Sequence, residues 1–376
     1  MKNSLILNFA NIHSGGALQV ACAFINDMQH MKDDMKILRQ KYNVICLMST
    51  ELDSFFQINN NEIASLFDKV EIKNFYGFGA MKYTSYINSF KPKIIFSLFG
   101  PTYFFSNATE ITGFAQPWII NEDKNVYKQM PYLSKIFNKI KFEIQWRFFL
   151  KANVLIAELP SVKNRLAHYR KFKKDIMVAR NSLNPILIEN EESTNLWIQP
   201  KTVKFGYPTR NYIHKNINFA IELIDMLNKD SAINYELHLT LCKTEYKGLN
   251  IKNKSFIKNH GRLNLKDLKE FYKTIDCVIF PSLLECFSAT PIESLFFKKI
   301  LFCSNRDFIK DSIGENAVFF DPYDLDSTKK VIKSFFNNKN SNDINKILET
   351  GYQYVLKLTT SAERSSEYLK ILKKYG

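Results

Sequence analysis

Two carboxylates, Glu285 and Glu293, stand eight residues apart in the segment Pro281-Ser282-Leu283-Leu284-Glu285-Cys286-Phe287-Ser288-Ala289-Thr290-Pro291-Ile292-Glu293. The apolar run Cys277-Val278-Ile279-Phe280 before it has the length and character of a buried strand. A helix start follows. Thr290 suits the N-cap, Pro291 the first helical position, and Glu293 falls where a capping box would place it. Glu293 therefore either closes that box on the Thr290 backbone or reaches a ligand. Glu285 has no such local duty: it lies where a strand ends, and open parallel sheets bind ligands at strand carboxyl ends, with phosphates on helix N-termini. The backbone amides of Phe287, Ser288, Ala289 and Thr290 are then placed to hold an anion. A second group, Arg210 followed by His214-Lys215-Asn216, comes after the apolar run 203–207. It offers a guanidinium fork and a point charge for phosphate oxygens, although a surface Arg and Lys in a loop is the ordinary alternative. Together these groups suit chemistry on a phosphorylated ligand, where preorganised cations stabilise developing negative charge once water is excluded.

Such residues need a scaffold of strands that deliver them from one edge. Short apolar runs at 5–9, 44–48, 93–99, 154–157 and 177–179 alternate with helical patterns such as 17–29 and 138–150. A polar stretch, 189–195 (ENEESTN), reads as a linker, and a second alternating series follows at 203–207, 236–242, 275–280, 300–303 and 317–320. Strands alternating with helices predict βαβ units and parallel sheets, so the fold class is α/β with two Rossmann-like domains. Gly15 and Gly16 follow the first strand, where their amides can approach a phosphate at the next helix. Thr360-Ser361-Ala362-Glu363 is a capping-box start for a last helix over 361–375. Asp324-Leu325-Asp326, the one Asp-x-Asp, follows a late strand and reads as another helix start rather than a metal site.

The order of these pieces resembles the retaining glycosyltransferases of family 4, whose pattern is Glu-x7-Glu after a Pro-Ser strand end. The resemblance also covers Ser14-Gly15-Gly16-Ala17, Ile176-Met177-Val178-Ala179-Arg180-Asn181, Phe205-Gly206-Tyr207-Pro208-Thr209-Arg210 with His214-Lys215-Asn216, and His260-Gly261-Arg262, so it spans nearly the whole chain. It implies a glycosyltransferase B fold, with parallel sheets facing across a cleft. Residues 1–190 would form the acceptor-side domain, 191–358 the nucleotide-sugar domain, and 359–376 a helix packing back towards the first. By the same resemblance Arg210 and Lys215 clamp the diphosphate, and Glu285 holds sugar hydroxyls and steadies charge near the anomeric carbon. Glu293 accepts from the ribose, while Gly15, Gly16 and residues 287–290 line the donor. The family retains anomeric configuration, with the leaving phosphate taking the acceptor proton, and needs no protein nucleophile, divalent metal or other cofactor. The implied activity moves a hexose from a nucleotide-diphosphate sugar to a lipid-linked oligosaccharide in O-antigen or capsule synthesis. Two departures stand out. Cys286 and Ser288 replace family glycines, which would strain them if those positions need positive φ. Gln116 stands where the family often has an acceptor-side His.

The net charge of +15, from 52 Lys and Arg against 37 Asp and Glu, calls for an anionic partner: a phosphorylated substrate, an acidic membrane or a nucleic acid. Residues 134–151 (SKIFNKIKFEIQWRFFLK) mix Lys and Arg with Phe, Ile and Trp at helical spacing. They read equally as an interfacial helix on anionic lipid or a domain helix with a solvated basic face. The denser cluster 168–174 (HYRKFKK) reads as a solvated turn, with headgroup contact as the alternative. Nucleic-acid binding rests on charge alone, because no helix-turn-helix, OB or RNP pattern occurs. A sugar-nucleotide 2-epimerase on the same double fold is the enzymatic alternative, but lacks the Arg…Lys and Pro-Ser-x-x-Glu combination. Six scattered cysteines without C-x-x-C predict buried free thiols and a reducing cytoplasm. Asn8, Asn11 and His13 interrupt any signal-peptide run, so a cytoplasmic location is expected, and the charge, the aromatics and the resemblance imply the inner face of the cytoplasmic membrane.

Overall fold

The computed structural model describes residues 2–56, 61–188, 197–229, 233–249, 251 and 253–376, and the chain divides into two compact units. One comprises Met1–Glu122, Tyr132–Asn184 and Thr359–Gly376; the other comprises Asp123–Pro131 and Pro185–Leu358. Residues 189–195, read above as a linker, lie outside the described residues.

The first unit is built on a seven-stranded parallel sheet: β1 (Ser4–Phe9), β2 (Asn43–Met48), β3 (Lys69–Ile72), β4 (Pro92–Ser97), β5 (Thr109–Phe114), β6 (Val154–Ala157) and β7 (Asp175–Val178), in the order β3-β2-β1-β4-β5-β6-β7. Both faces of β1 are buried. Leu5, Leu7 and Phe9 join one core cluster with Phe24 of the Gly15–His30 helix, while Ile6 joins Ile45, Ile95 and Phe104 in another. A strand covered on both faces reads as a continuous apolar run, which is why β1, β2 and β4 were legible. The last helix, Ser361–Tyr375, belongs to this unit. Thr360 and Glu363 form its capping box, Ser361 and Ser365 both donate to Asp27 Oδ2 at 2.6 Å, and Tyr368 meets Phe24 edge-on at 5.1 Å.

The basic stretch 168–174 is structural. Arg170 donates to both oxygens of Glu143 and lies over the Trp146 ring at 4.8 Å. Lys174 Nζ donates to the carbonyls of Leu150, Lys151 and Ala152 just past the Tyr132–Phe149 helix, where a cation complements the helix end.

The second unit carries a six-stranded parallel sheet: β8 (Thr202–Tyr207), β9 (Asn234–Leu239), β10 (Ile257–Asn259), β11 (Cys277–Phe280), β12 (Ile300–Ser304) and β13 (Val318–Phe320), in the order β10-β9-β8-β11-β12-β13. Phe205, Phe302 and Phe336 pack its core, with Phe205 and Phe302 centroids 5.6 Å apart. The strand order grows outward from β8 on one side and from β11 on the other. Their adjacent carboxyl ends are therefore a topological switch point, where a doubly wound sheet opens a crevice for ligand. In the first unit β1 and β4 stand in the same relation.

Candidate active site

The loops leaving β8 and β11 carry the residues singled out by type and spacing. Arg210 and Lys215 follow β8, and Ser282 and Glu285 follow β11. The two loops are stitched through one carbonyl: His214 O accepts from Leu283 N–H at 2.8 Å. Tyr207 OH donates to Lys215 O at 2.6 Å, and Asn216 turns the chain in a left-handed conformation (φ 56°), which Asn tolerates well. Lys215 Nζ is thereby aimed at Glu285 Oε1, 2.5 Å away, and Ser282 Oγ donates to the same oxygen at 2.7 Å. Lys215 also lies 5.7 Å from the Phe280 ring centre. Glu285 is buried, so this carboxylate needs both donors. His214, beside them, has its pKa lowered by burial, with Glu285 acting in the opposite sense.

Arg210 sits on the same loop but is held by a different carboxylate. Its Nε donates to Glu245 Oε1 at 2.8 Å, and Glu245 also accepts from the amides of Asn211 and Cys242. Burial alone would raise the Glu245 pKa; hydrogen bonds from Arg210 and Cys242 outweigh it and bring it down to about 2. Glu245 engages one guanidinium N–H, so the planar fork has further donors for an anion. Glu245 was not legible in the sequence, because the residue at its helix N-cap is Cys242, a poor capping type.

The helix after the glutamate motif spans Ala289–Phe296, with Ser288 as N-cap in an extended conformation (φ −136°, ψ 132°). This corrects the expected start: Thr290 is not the N-cap, and Glu293, a turn inside, forms no capping box. Pro291 does not fix a helix start, since any first-turn position lacks an intrahelical partner for its N–H; the extended Ser288 does. Glu293 is buried, and its Oε2 accepts from Tyr272 OH at 2.9 Å. Burial pushes the Glu293 pKa up to about 7, partly offset by that hydrogen bond. Tyr272 was unmarked in the sequence, one aromatic among apolar helix positions. The first-turn amides of Ala289 and Thr290 have no carbonyl to reach within the helix. Phe287, Ser288 and Ala289 are half-buried beside Glu285 in sequence, and Thr290 is buried. Neither Cys286 nor Ser288 adopts positive φ, so replacing the family glycines introduces no backbone strain. Asp324 caps the Leu325–Asn338 helix by accepting from Ser327 N–H, as its position suggested. Among the described residues no group of three His, Cys, Asp or Glu side chains is arranged to hold a metal.

Gly15 and Gly16 belong to the first unit, whereas all the other singled-out residues except Gln116 belong to the second. Both glycines begin the Gly15–His30 helix, Gly15 at φ +71°, and a Cβ built on either meets nothing within 4 Å. Their backbone is open to a ligand. Gln116 lines a first-unit cavity of about 290 Å³ at the β1/β4 switch point, together with Asn8, Asn11, His13, Tyr103 and Gln145. Its polar lining is neutral amide and hydroxyl apart from His13, which is bound to Glu51 at 2.9 Å and stacked on Tyr76. The buried amide oxygens of Asn11 and Gln145 have no hydrogen-bond partner.

Residues 189–353 match the family model described as glycosyl transferases group 1. The matched residues fall within the second unit. The resemblance built on Glu285-x7-Glu293 is borne out at that level, with which family 4 is compatible. Solved structures point the same way. A glycosyltransferase from Rickettsia africae ESF-5 aligns over 100% of this chain and 99% of its own, at 16% identity and a TM-score of 0.68. WaaG, a glycosyltransferase involved in lipopolysaccharide biosynthesis, aligns over 98% and 99% at 11% identity and a TM-score of 0.65. Anabaena Alr3699/HepE, solved in complex with UDP and glucose, aligns over 100% and 100% at 11% identity and a TM-score of 0.62. At these identities the likeness establishes the fold: two parallel-sheet α/β domains, as the strand pattern predicted, of the glycosyltransferase B type that the resemblance implied. Comparison with curated proteins found no match.

Proposed function

We propose that this chain is a retaining, metal-independent hexosyltransferase of the group 1 glycosyl transferases. It takes a hexose from a nucleotide-diphosphate sugar and passes it to a lipid-linked glycan during surface polysaccharide synthesis of the O-antigen or capsule type, working at the cytoplasmic face of the membrane. Residues 191–358 bind the donor, residues 1–190 bind the acceptor, and 359–376 complete the acceptor domain. The observation that carries this reading is the Ser282–Glu285–Lys215 cluster at the β8/β11 switch point, with Arg210 on the same loop. As the anomeric C–O bond breaks, negative charge collects on the diphosphate, and Arg210 and Lys215 are the cations within reach of that loop. Lys215 starts the cycle bound to Glu285, so an arriving diphosphate shares the ammonium and leaves Glu285 facing the sugar hydroxyls. Ionised Glu285 then favours the positive charge that develops at the anomeric carbon. The acceptor hydroxyl attacks from the side the diphosphate leaves; its proton passes to a phosphate oxygen, and the configuration is kept. Glu293 accepts from the ribose, and in the first unit the open backbone at Gly15 and Gly16 suits a phosphate. The orphaned oxygens of Asn11 and Gln145 suit hydroxyl donors of a neutral glycan in the first-unit cavity.

A thermal-shift screen against UDP-, GDP-, CMP- and dTDP-sugars, with Glu293→Ala beside the wild type, tests the donor half of this reading. One nucleotide class should raise the melting temperature by mass action, and the variant should lose the rise. No shift with any donor contradicts it.

A further inference from the structure

The Tyr132–Phe149 helix is apolar on two opposite sides. Phe142, Trp146 and Phe149 face the first unit and are buried. At 100° per residue the opposite side carries Leu133, Phe137, Ile140 and Ile144, one stripe at i, i+4, i+7 and i+11. That stripe is in solvent: Leu133 is 79% exposed, Phe137 69% and Ile140 56%. Exposing large side chains in register along a helix is costly, and a monomeric protein rarely leaves such a stripe uncovered. Lys141 and Arg147 are exposed on either flank of the stripe, and the helix's one acidic residue, Glu143, is neutralised by Arg170. The stripe does not end with the helix. Phe148 touches the exposed ring of Phe78, at 5.6 Å between centroids, and Phe78 touches Tyr103 at 4.9 Å. Tyr103 and Gln145 line the first-unit cavity, so these ring contacts link the helix to the cavity's lining.

We infer that this helix face, extended by Phe78, is a docking surface for a bilayer rich in anionic lipid, and that it sets the cavity mouth at the membrane surface. Apolar side chains at the centre and cations at the flanks are the arrangement of a helix lying in the headgroup region, with Leu133 and Phe137 in the acyl boundary and Lys141 and Arg147 on phosphates. Charge complementarity selects lipid over a second copy of this chain, since two such faces would bring their cations together. The inference rests on the reading of the protein as a transferase with a lipid-linked acceptor, and explains how a substrate whose tail stays in the bilayer presents its sugars to the cavity.

The test is flotation of the full chain with vesicles of phosphatidylcholine containing phosphatidylglycerol, against phosphatidylcholine alone, for the wild type and Leu133→Glu/Phe137→Glu. The wild type should float with the anionic vesicles and be released by high salt. The double variant should partition about tenfold less for each large apolar side chain withdrawn from the acyl boundary. Both substituted positions are exposed, so an unchanged melting temperature certifies the fold. Equal flotation of the variant overturns the inference, as does a wild type that stays in solution, including one that dimerises through this face. Binding of UDP-, GDP-, CMP- and dTDP-sugars, measured separately, distinguishes the two claims. Flotation without nucleotide binding keeps the docking face and removes the donor site, and nucleotide binding without flotation does the reverse.

Discussion

Replacing Glu293 with Gln should stabilise the protein at neutral pH while removing its grip on the donor. The carboxyl is buried with one hydrogen bond, from Tyr272, and its pKa stands at about 7 instead of 4.5. The folded state therefore holds this proton more tightly than the unfolded chain does. Below about pH 4.5 both states are protonated and the full contribution is present. As pH rises towards 7 the unfolded chain gives up the proton freely while the fold must ionise a buried carboxyl, so stability is lost across that window. At 1.36 kcal/mol per pH unit the loss reaches about 3 kcal/mol by pH 8. Gln cannot ionise and still accepts from Tyr272, so the variant escapes the loss. Urea denaturation from pH 4.5 to 8, read as variant minus wild type so that all other titrating groups cancel, should give a difference near zero at the acid end. It should rise by about 3 kcal/mol at the alkaline end. A carboxyl kept at that cost is one retained for a ligand. The same variant should show a weaker melting shift with the preferred nucleotide sugar. A pH-independent difference would refute the argument, because it would mean that Glu293 titrates in the fold as it does in water.

Arg210→Ala should lower turnover roughly 10²–10³-fold, the cost of losing one preorganised donor to a developing oxyanion, and near-wild-type turnover would take Arg210 out of the site. Lys215→Ala leaves Glu285 buried with Ser282 as its remaining donor, and denaturation should register a loss of about 3 kcal/mol; Lys215→Met with Glu285→Gln should recover that stability and remain inactive. Gly113→Ala sets a Cβ 1.8 Å from the Leu98 carbonyl oxygen, within backbone that cannot yield, and should cost about 3 kcal/mol in the same experiment. Gly16→Ala meets open space and should leave stability within about 0.5 kcal/mol while weakening nucleotide-sugar binding.

The strands at the centres of both sheets were legible because both their faces are covered, as at Leu5–Phe9 and Cys277–Phe280. Three strands were not. Lys69–Ile72 and Ile257–Asn259 are short edges with mixed burial, so neither presents an apolar run. Thr109–Phe114 is interior but carries Glu110, whose buried carboxylate accepts from Thr102 and lies 3.8 Å from Lys151. A charge neutralised only by tertiary contacts breaks the pattern that a sequence reading follows. The site shows the same division. Lys215, Glu285 and Arg210 were singled out by type and position, because strand ends and motif spacing are local properties. Their partners were not: Glu245 and Tyr272 come from other helices, and nothing near them in sequence marks the pairing. The misplaced helix start came from reading Pro291 as the first helical residue, when Ser288 two residues upstream of Thr290 makes the turn.

The central claim is that the cluster at the β8/β11 switch point drives sugar transfer from a nucleotide diphosphate. The direct measurement is nucleoside diphosphate release from a panel of sugar nucleotides in the presence of bacterial lipid extract, for the wild type and Lys215→Met/Glu285→Gln. Release from one donor class that depends on the extract and vanishes in the folded double variant is the predicted result. Release that persists undiminished in that variant would contradict the account.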